Sequence, residues 1–464
     1  MIPNHVKRYM YEKRGTMKRV KQEIKLSDHF TYGKLLRFTL PSIVMMIFTS
    51  IYGVVDGFFV SNFAGSAAFT AVNFVIPFLM VLGCVGFMFG TGGSALVART
   101  LGEQNKEKAN RIFSLLVYVS IAVGLALAVL GFVLLRPVCQ MMGAEGQLLE
   151  DCLLYGRIIL CAIPAYVLQM EFQSFFVTAE KPKLGLAVTV ASGVTNMVLD
   201  ALLVWIFPLG LVGAALATAI SQVVGGLIPL AYFASKNTSL LRLRKTNWDT
   251  QALVKACANG SSELLANVSM SLVAMLYNVQ LLKLAGEQGV SAYGTMMYVN
   301  LIFLAIFIGY SIGTSPVVGF HLGAGNYDEL KGLVKKSLII IGISSVGMLA
   351  LGFVLAEPLS KLFVGRDPQL LAMTVHGFYI FAFSFLFVGY AIFFSGFFTA
   401  LNDGLTSAII SFLRTLVFQV AAVLLLPLVW DIDGIWASIV VAELMAALVG
   451  LIFLFIKRKR FQYF

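Results

Sequence analysis

Long apolar runs separated by short polar loops dominate this sequence. Twelve of them are long enough to form membrane-crossing helices, and they lie at 35–60, 69–96, 110–135, 152–178, 184–207, 211–234, 257–282, 291–320, 333–356, 371–400, 405–429 and 434–456. Each exceeds the roughly 20 residues that a helix needs to cross the hydrocarbon core of a bilayer. The pattern therefore predicts an all-α integral membrane protein with twelve transmembrane helices.

The two halves of the sequence repeat each other at an offset of 221 residues. The offset places Gly92, Ser94, Leu101 and Gly102 on Gly313, Ser315, Leu322 and Gly323. A gap-free register over this distance indicates a duplicated unit, and we predict two pseudo-symmetric six-helix bundles related by an axis along the membrane normal. The predicted parts are a basic N-terminal arm at 1–34, an N-lobe at 35–236, a linker at 237–256, a C-lobe at 257–456 and a basic tail at 457–464.

The charged residues are distributed asymmetrically about these spans. They make up only 12% of the chain, far below the roughly 25% of a soluble domain. If the N-terminus is cytoplasmic, all but six of the 34 Lys and Arg residues fall in the arm, the cytoplasmic loops and the tail. This bias predicts a protein of the cell membrane with both termini in the cytoplasm. Anionic lipid headgroups then account for the net charge of +11, and no nucleic-acid partner is needed.

Several common features of other protein classes are missing from the sequence. The arm lacks the apolar core of a signal peptide, and either Met1 or Met17 is the start. Cys139 and Cys152 flank one predicted outer loop and could be bridged, but we expect free thiols in a set of five cysteines. The four histidines have no metal-ligand spacing, and there is no phosphate-binding GxxxxGK[ST] loop. We therefore expect no cofactor, and we expect an ion gradient to drive any transport.

Two of the acids inside predicted spans of the first half have no acid at the repeat-related position of the second half. The offset of 221 maps Asp56 onto Tyr277 and Asp200 onto Ala421. A carboxylate in hydrocarbon is costly and is retained when a cation, a proton or a polar neighbour stabilises it. Asn196 lies one helical turn from Asp200 and shares its face. These oxygens suit a bound Na⁺ or a proton shared between two coupled acids; the alternative is a structural pair that is hydrogen-bonded to hydroxyls.

Other polar residues in the spans are open to two interpretations. Glu263 either contacts a cationic substrate or is solvated near the interface, and Glu171 either guards the inner mouth of a cleft or pairs with a neighbouring Lys or Arg. Gln173 is a further candidate for lining the cleft. Arg414 has no adjacent acid in the sequence, so we expect a structural ion pair with an acid of another helix, and Glu443 of the twelfth span is one candidate.

Several stretches together resemble the MATE (multidrug and toxic compound extrusion) family, in its MepA-like or DinF-like bacterial branch. The resemblance covers both lobes, and it is carried by the order and spacing of Pro41…Val55-Asp56-Gly57-Phe58-Phe59-Val60, Gly92-Gly93-Ser94…Arg99-Thr100-Leu101-Gly102, Asn196-x-x-Leu199-Asp200, Gly213-Ala214-Ala215-Leu216-Ala217-Thr218 and Asn259-Gly260-Ser261-Ser262-Glu263.

The resemblance implies two six-helix bundles around a V-shaped central cleft. It also implies export of cationic, amphipathic compounds coupled to H⁺ or Na⁺. The implied site for the coupling ion, including a possible Na⁺, consists of Asp56, Asn196, Asp200 and Thr218, with Tyr155 nearby. Another branch of the family has an acid in the tenth span, but residues 371–400 contain none, so we expect no ion site of that kind in the C-lobe.

We therefore predict a secondary active multidrug efflux transporter that works by antiport and alternating access. Its partners would be small organic cations and membrane lipids, and it would function as a monomer. A flippase for a lipid-linked precursor is one alternative, and it would need a strongly cationic cleft. A membrane-embedded enzyme is another, and it would need a nucleophile–base pair or metal ligands at mid-membrane.

Overall fold

The computed structural model describes residues 24–365 and 367–464, and within these ranges the chain is helical and has no β-strand. The first six helices are α1 (Tyr32–Phe59), α2 (Ser66–Gly102), α3 (Lys106–Met141), α4 (Gly146–Thr178), α5 (Pro182–Asp200) and α6 (Gly210–Ala234). π-helical segments extend α1 over Val60–Ala64 and α5 over Ala201–Ile206.

The second half repeats this arrangement with more breaks. The helical stretch Thr250–Gly323 is interrupted at Gly286, where φ is 61°, and this break separates α7 (250–285) from α8 (287–323). The remaining helices are α9 (Tyr327–Val364), α10 (Pro368–Ala382 and Phe385–Ala400, bent by 49°), α11 (Gly404–Phe412, a π-helical Leu413–Val417 and Phe418–Leu425) and α12 (Pro427–Phe461).

Among the described residues, ten helical stretches are long and apolar enough to cross a membrane. The bent α10 adds one span, and the break at Gly286 divides another in two. The prediction of twelve transmembrane helices is therefore confirmed. The helices extend beyond the apolar runs because polar caps continue them. For example, α7 begins at Thr250 because the Asp249 side chain accepts a hydrogen bond from the Ala252 N–H at 3.0 Å.

One end of the bundle, which we call the basic face, gathers the terminal segments and the linker. Residues 24–31 contact the α4–α5 loop and the start of α9. The linker, predicted at 237–256, comprises residues 235–249 in the structure because α7 begins earlier than its apolar run, and it docks on α3. Lys457 of the C-terminal end lies 3.1 Å from Asp403 in the α10–α11 loop. The loops that join an even-numbered helix to the next odd-numbered helix therefore lie on the same face as both described ends of the chain.

The two lobes touch at the basic face through their backbones. A Cβ atom on Gly102 would lie 2.0 Å from the carbonyl oxygen of Phe320, and one on Gly323 would lie 2.0 Å from that of Arg99. Both the glycines and the carbonyls are related by the offset of 221 residues, so the two contacts are equivalent under the pseudo-twofold axis. Only glycine permits this approach, which closes the V-shaped cleft at the basic face.

The segment before α1, residues 24–31, bridges the lobes at this face. The Leu26 N–H donates to Glu180 in the N-lobe at 2.6 Å, and the Phe30 N–H donates to Glu329 of α9 at 2.9 Å. The side chains of Leu26 and Phe30 are fully buried. Burial raises the pKa of the Glu180 carboxyl, although the hydrogen bond from Leu26 acts in the opposite direction.

The linker is held along the N-lobe. Asn110 of α3 accepts a hydrogen bond from the Arg242 N–H at 2.6 Å, and one turn later Ser114 accepts one from the Arg244 N–H at 2.9 Å.

The cysteines in the described part of the chain are free thiols, Cys139 and Cys152 among them, as predicted.

Candidate functional site

The two N-lobe acids lie where regular α-helix gives way to π-helix. Asp200 is the last residue of α5, directly before the π-helical Ala201–Ile206, and Asp56 is three residues from the end of α1. A third π-helical segment contains Arg414. π-helical segments are rare in proteins, and those that do occur are often found at functional sites. In the described part of the chain, each one therefore lies at or beside an intramembrane charge.

The predicted ion-site residues meet in space. The Asn196 amide nitrogen lies 3.5 Å from Asp56 Oδ1, and the Thr218 hydroxyl donates to the same oxygen at 3.4 Å. Asp200 and Asn196 are buried, whereas Asp56 is half-buried. Tyr155 is buried beside Thr218 and the two acids. Four helices, α1, α4, α5 and α6, thus contribute one side chain or more to a single cluster.

The carboxylate of Asp200 is the least compensated group in the cluster. Both of its oxygens are buried without a hydrogen-bond donor from the protein, and it interacts directly with Asp56. Two like charges this close in a low-dielectric interior cannot both be retained without a partner. The cluster can therefore hold a proton between the two acids, or a small cation on their oxygens and those of Asn196 and Thr218.

The corresponding position in the C-lobe is neutral. Tyr277, which stands at the position of Asp56, donates its hydroxyl to Gln419 Oε1 at 2.7 Å. Its ring stacks on Tyr293 with centroids 5.1 Å apart. A phenol hydrogen-bonded to an amide needs no ion, so the pseudo-symmetry of the backbone does not extend to the charge.

The polar residues of the C-lobe include the expected ion pair. Arg414 Nε lies 2.8 and 3.1 Å from the two carboxylate oxygens of Glu443, which confirms that prediction. Glu263 on α7 is partly exposed and interacts with Arg414 over a longer range. Arg414 is paired directly with Glu443, so Glu263 is not its ion-pair partner.

Glu171 and Gln173 are enclosed within the N-lobe. Glu171 is fully buried and Gln173 is 4% exposed. Both carboxylate oxygens of Glu171 are buried outside hydrogen-bonding geometry, and the polar side chain beside them is the Ser120 hydroxyl of α3 rather than the predicted Lys or Arg. The expectation that these two side chains line the cleft is not met in this conformation, because α4 turns them toward the neighbouring helices of its own lobe.

The arrangement can be compared with known proteins. A family model described as MatE matches residues 41–202 and 264–424, which is more than half of the chain. The chain belongs to the MatE family. The match falls in both lobes and includes the cluster residues Asp56, Asn196 and Asp200.

Relatives and solved structures agree with membership of the MatE family. The multidrug export protein MepA of Staphylococcus haemolyticus is 24% identical over 430 residues, which cover 92% of this chain and 94% of that protein. MepA of Staphylococcus aureus strain MRSA252 is 24% identical over 433 residues, with the same coverage. The crystal structure of a MATE protein in complex with MaL6 has a TM-score of 0.89 at 21% identity, covering 94% of this chain and 98% of that one. An outward-facing multidrug resistance MATE transporter also has a TM-score of 0.89 at 21% identity, covering 96% and 99%.

Sequence reasoning missed some polar residues of this MatE protein. Gln169 of α4 and Ser192 of α5 are buried and hydrogen-bonded to each other at 3.4 Å, on the basic-face side of the acid cluster. A signal was present in the sequence, because Ser192, Asn196 and Asp200 follow at four-residue intervals on one face of α5. The π-helical segments had no comparable signal.

Proposed function

We propose that this MatE protein is a secondary active multidrug exporter, in which H⁺ or Na⁺ binding at the Asp56–Asp200 cluster drives the efflux of cationic amphipathic compounds. The observation that carries the proposal is the buried, unpaired carboxylate of Asp200 next to Asp56. Two unit charges roughly 4 Å apart repel by about 4 kcal/mol at an effective dielectric constant of 20. Binding of a cation relieves this repulsion, so occupancy of the site is coupled to the packing of α1 against α5.

Transport would proceed by alternating access. The cleft is closed at the basic face by the contacts of Gly102 and Gly323, and we infer from the charge bias that this face is cytoplasmic. The ion would enter from outside, bind the acid cluster and favour the conformation in which the lobes part at the basic face. An ion shifts this equilibrium only if it binds the two conformations with different affinity. The ion would reach the cluster through Asp56, which is half-buried. Asp200 is fully enclosed, so its affinity for the ion would depend on how the helices of the N-lobe pack around it.

The partly exposed acid Glu263 of α7 supports an organic cation as the substrate. Glu263 is partly exposed, and Arg414 is paired with Glu443 rather than with it, which leaves the Glu263 carboxyl available to a ligand. The relatives named MepA are multidrug export proteins. A cationic amphipathic compound would place its charge near Glu263 and its apolar part against the cleft wall. We further propose that the protein works as a monomer in the cell membrane, in contact with anionic lipids at the basic face.

The alternative functions receive less support. A flippase for a lipid-linked precursor would need uncompensated cations in the cleft to hold phosphate, and the guanidinium of Arg414 is neutralised. An embedded enzyme would need a reactive cluster, and the described residues contain no group of three or more His, Cys, Asp or Glu side chains arranged to hold a metal ion.

The test is gradient-driven transport of a fluorescent organic cation in proteoliposomes. We expect the wild-type protein to move the cation under a pH gradient or a Na⁺ gradient. We expect Asp56→Asn to abolish that transport and Glu150→Gln, which changes an exposed acid paired with Arg136, to leave it unchanged. No transport by the wild-type protein under either gradient would contradict the proposal.

A further inference from the structure

The halves of α3 and α4 that lie far from the basic face pack against each other as an antiparallel pair. A Cβ atom on Gly131 of α3 would lie 2.3 Å from the Leu160 side chain of α4, and one on Gly156 of α4 would lie 2.8 Å from the Leu135 side chain of α3. One helical turn separates the two contacts on each helix, so they belong to a single register. The glycines allow the two helices to approach closely.

The same register places two cysteines opposite each other one turn further out. Cys139 follows Leu135 by four residues, and Cys152 precedes Gly156 by four residues. The two thiols interact directly with each other, and both cysteines are at most 1% exposed. The pair therefore results from the packing of two long helices rather than from a chance meeting of loop residues.

The short connection between the cysteines is already folded back on itself. The Ala144 N–H donates to the Cys139 carbonyl at 2.9 Å, which closes the end of α3. Arg136 of α3 and Glu150 of α4 form an ion pair at 2.9 Å across the same hairpin. A disulfide bond forms only between cysteines whose backbones are held close together with their side chains facing each other. The hairpin holds Cys139 and Cys152 in such an arrangement before any bond is made.

The cysteine pair lies at the end of the N-lobe opposite the basic face. α3 begins at Lys106 near the basic face and ends at Met141, and we infer from the charge bias that this far end is outside the cell. Disulfides persist in such oxidising surroundings. Met141 is 86% exposed, only two residues after Cys139, whereas the Cys152 thiol donates to the Ala71 carbonyl at 3.6 Å. A local opening of the last turn of α3 therefore exposes Cys139 first.

We propose that Cys139 and Cys152 are a redox-active pair, which an external disulfide compound oxidises to an intramolecular disulfide bond between α3 and α4. The Cys139 sulfur attacks one sulfur of the external disulfide, and the first thiol of that compound leaves. The Cys152 sulfur then attacks the Cys139 sulfur, and the second thiol leaves. Two protein thiols are oxidised, one external disulfide is reduced, and the two protons pass to the two released thiols.

The bond stabilises the outer half of the N-lobe. It joins helices that already touch, and it limits the unfolded chain by closing the loop between the two cysteines. α4 also carries Tyr155, which lies beside the acid cluster one turn after Cys152. Since both cysteines belong to the same lobe, the bond holds this part of α4 in place without tying the two lobes together.

The test is oxidation of the protein in proteoliposomes that contain oxidised glutathione on both sides. The protein is then digested, without a reductant, by a protease that cleaves after glutamate, since Glu145 and Glu150 lie between the two cysteines. We expect mass spectrometry to find a disulfide between the Cys139 and Cys152 peptides, and a reductant to reverse it. The control combines Cys139→Ser with Gln140→Cys, which moves the sulfur to the exposed side of α3 and should give no bond to Cys152.

The two cysteines left as free thiols, or as separate glutathione adducts, would overturn the proposal. A bond from either one to Cys84, Cys161 or Cys257 would also overturn it, as would a bond to Cys152 in the control. Thermal unfolding provides a second measurement. The oxidised wild-type protein should unfold at a temperature a few degrees higher than the reduced protein, and Cys139→Ser should show no such difference. Equal unfolding temperatures for the two wild-type forms would contradict the stabilising role of the bond.

Discussion

At the scale of single residues, the two lobes treat buried charge in opposite ways. Arg414 and Glu443 neutralise each other, whereas Asp200 has no partner and faces another acid. Both arrangements could be predicted from the sequence, since a buried cation requires an acid and the repeat placed no acid opposite Asp56. The burial of Glu171 could not be predicted. The helix that carries it is apolar around most of its circumference, so the sequence does not indicate which face turns inward.

The ion pair of the C-lobe can be tested by removing one partner or both. Arg414→Ala leaves the Glu443 carboxylate buried without a counter-ion, and we expect a loss of about 3–5 kcal/mol in stability. The double variant Arg414→Met with Glu443→Leu should lose less, because no charge is left unpaired. Thermal unfolding of the purified proteins measures both. A double variant less stable than Arg414→Ala would contradict a purely structural role for the pair.

At the scale of helices, regular α-helix is interrupted next to the charged residues of the membrane-spanning segments. α5 changes to π-helix directly after Asp200, and a π-helical segment of α11 contains Arg414. The apolar runs predicted the number of spans because hydropathy reports length. They could not predict the π-helical segments or the bend in α10, because such changes depend on packing against neighbouring helices. The docking of the linker on Asn110 and Ser114 was unpredicted for the same reason.

At the scale of the whole molecule, the duplicated sequence corresponds to a duplicated contact. The offset of 221 residues predicted two related bundles, and the pairs Gly102–Phe320 and Gly323–Arg99 obey it in space. Because a glycine occupies both repeat-related positions, the backbones of the two lobes can meet at the basic face. Which conformation the molecule adopts was not contained in the sequence pattern, since the same helices pack differently when the cleft opens on either side.

Closure of the basic face can be tested at one of these glycines. In Gly323→Val the side chain would overlap the Arg99 carbonyl oxygen, so we expect the lobes to part at this face. Spin labels at Lys106→Cys and Tyr327→Cys, which are related by the repeat, should then show a longer distance by pulsed electron paramagnetic resonance. Gly347→Val is the control, because a Cβ atom there meets no other atom within 4 Å. An unchanged distance in Gly323→Val would contradict the role of this contact.

The central claim is that the Asp56–Asp200 cluster couples an ion to substrate export, and counterflow tests it most directly. Proteoliposomes preloaded with unlabelled organic cation exchange it for labelled cation without any ion gradient, and the same vesicles can be assayed with a pH or Na⁺ gradient. For Asp56→Asn and Asp200→Asn we predict that exchange continues while gradient-driven accumulation is lost. Full gradient-driven accumulation by either variant would contradict the account.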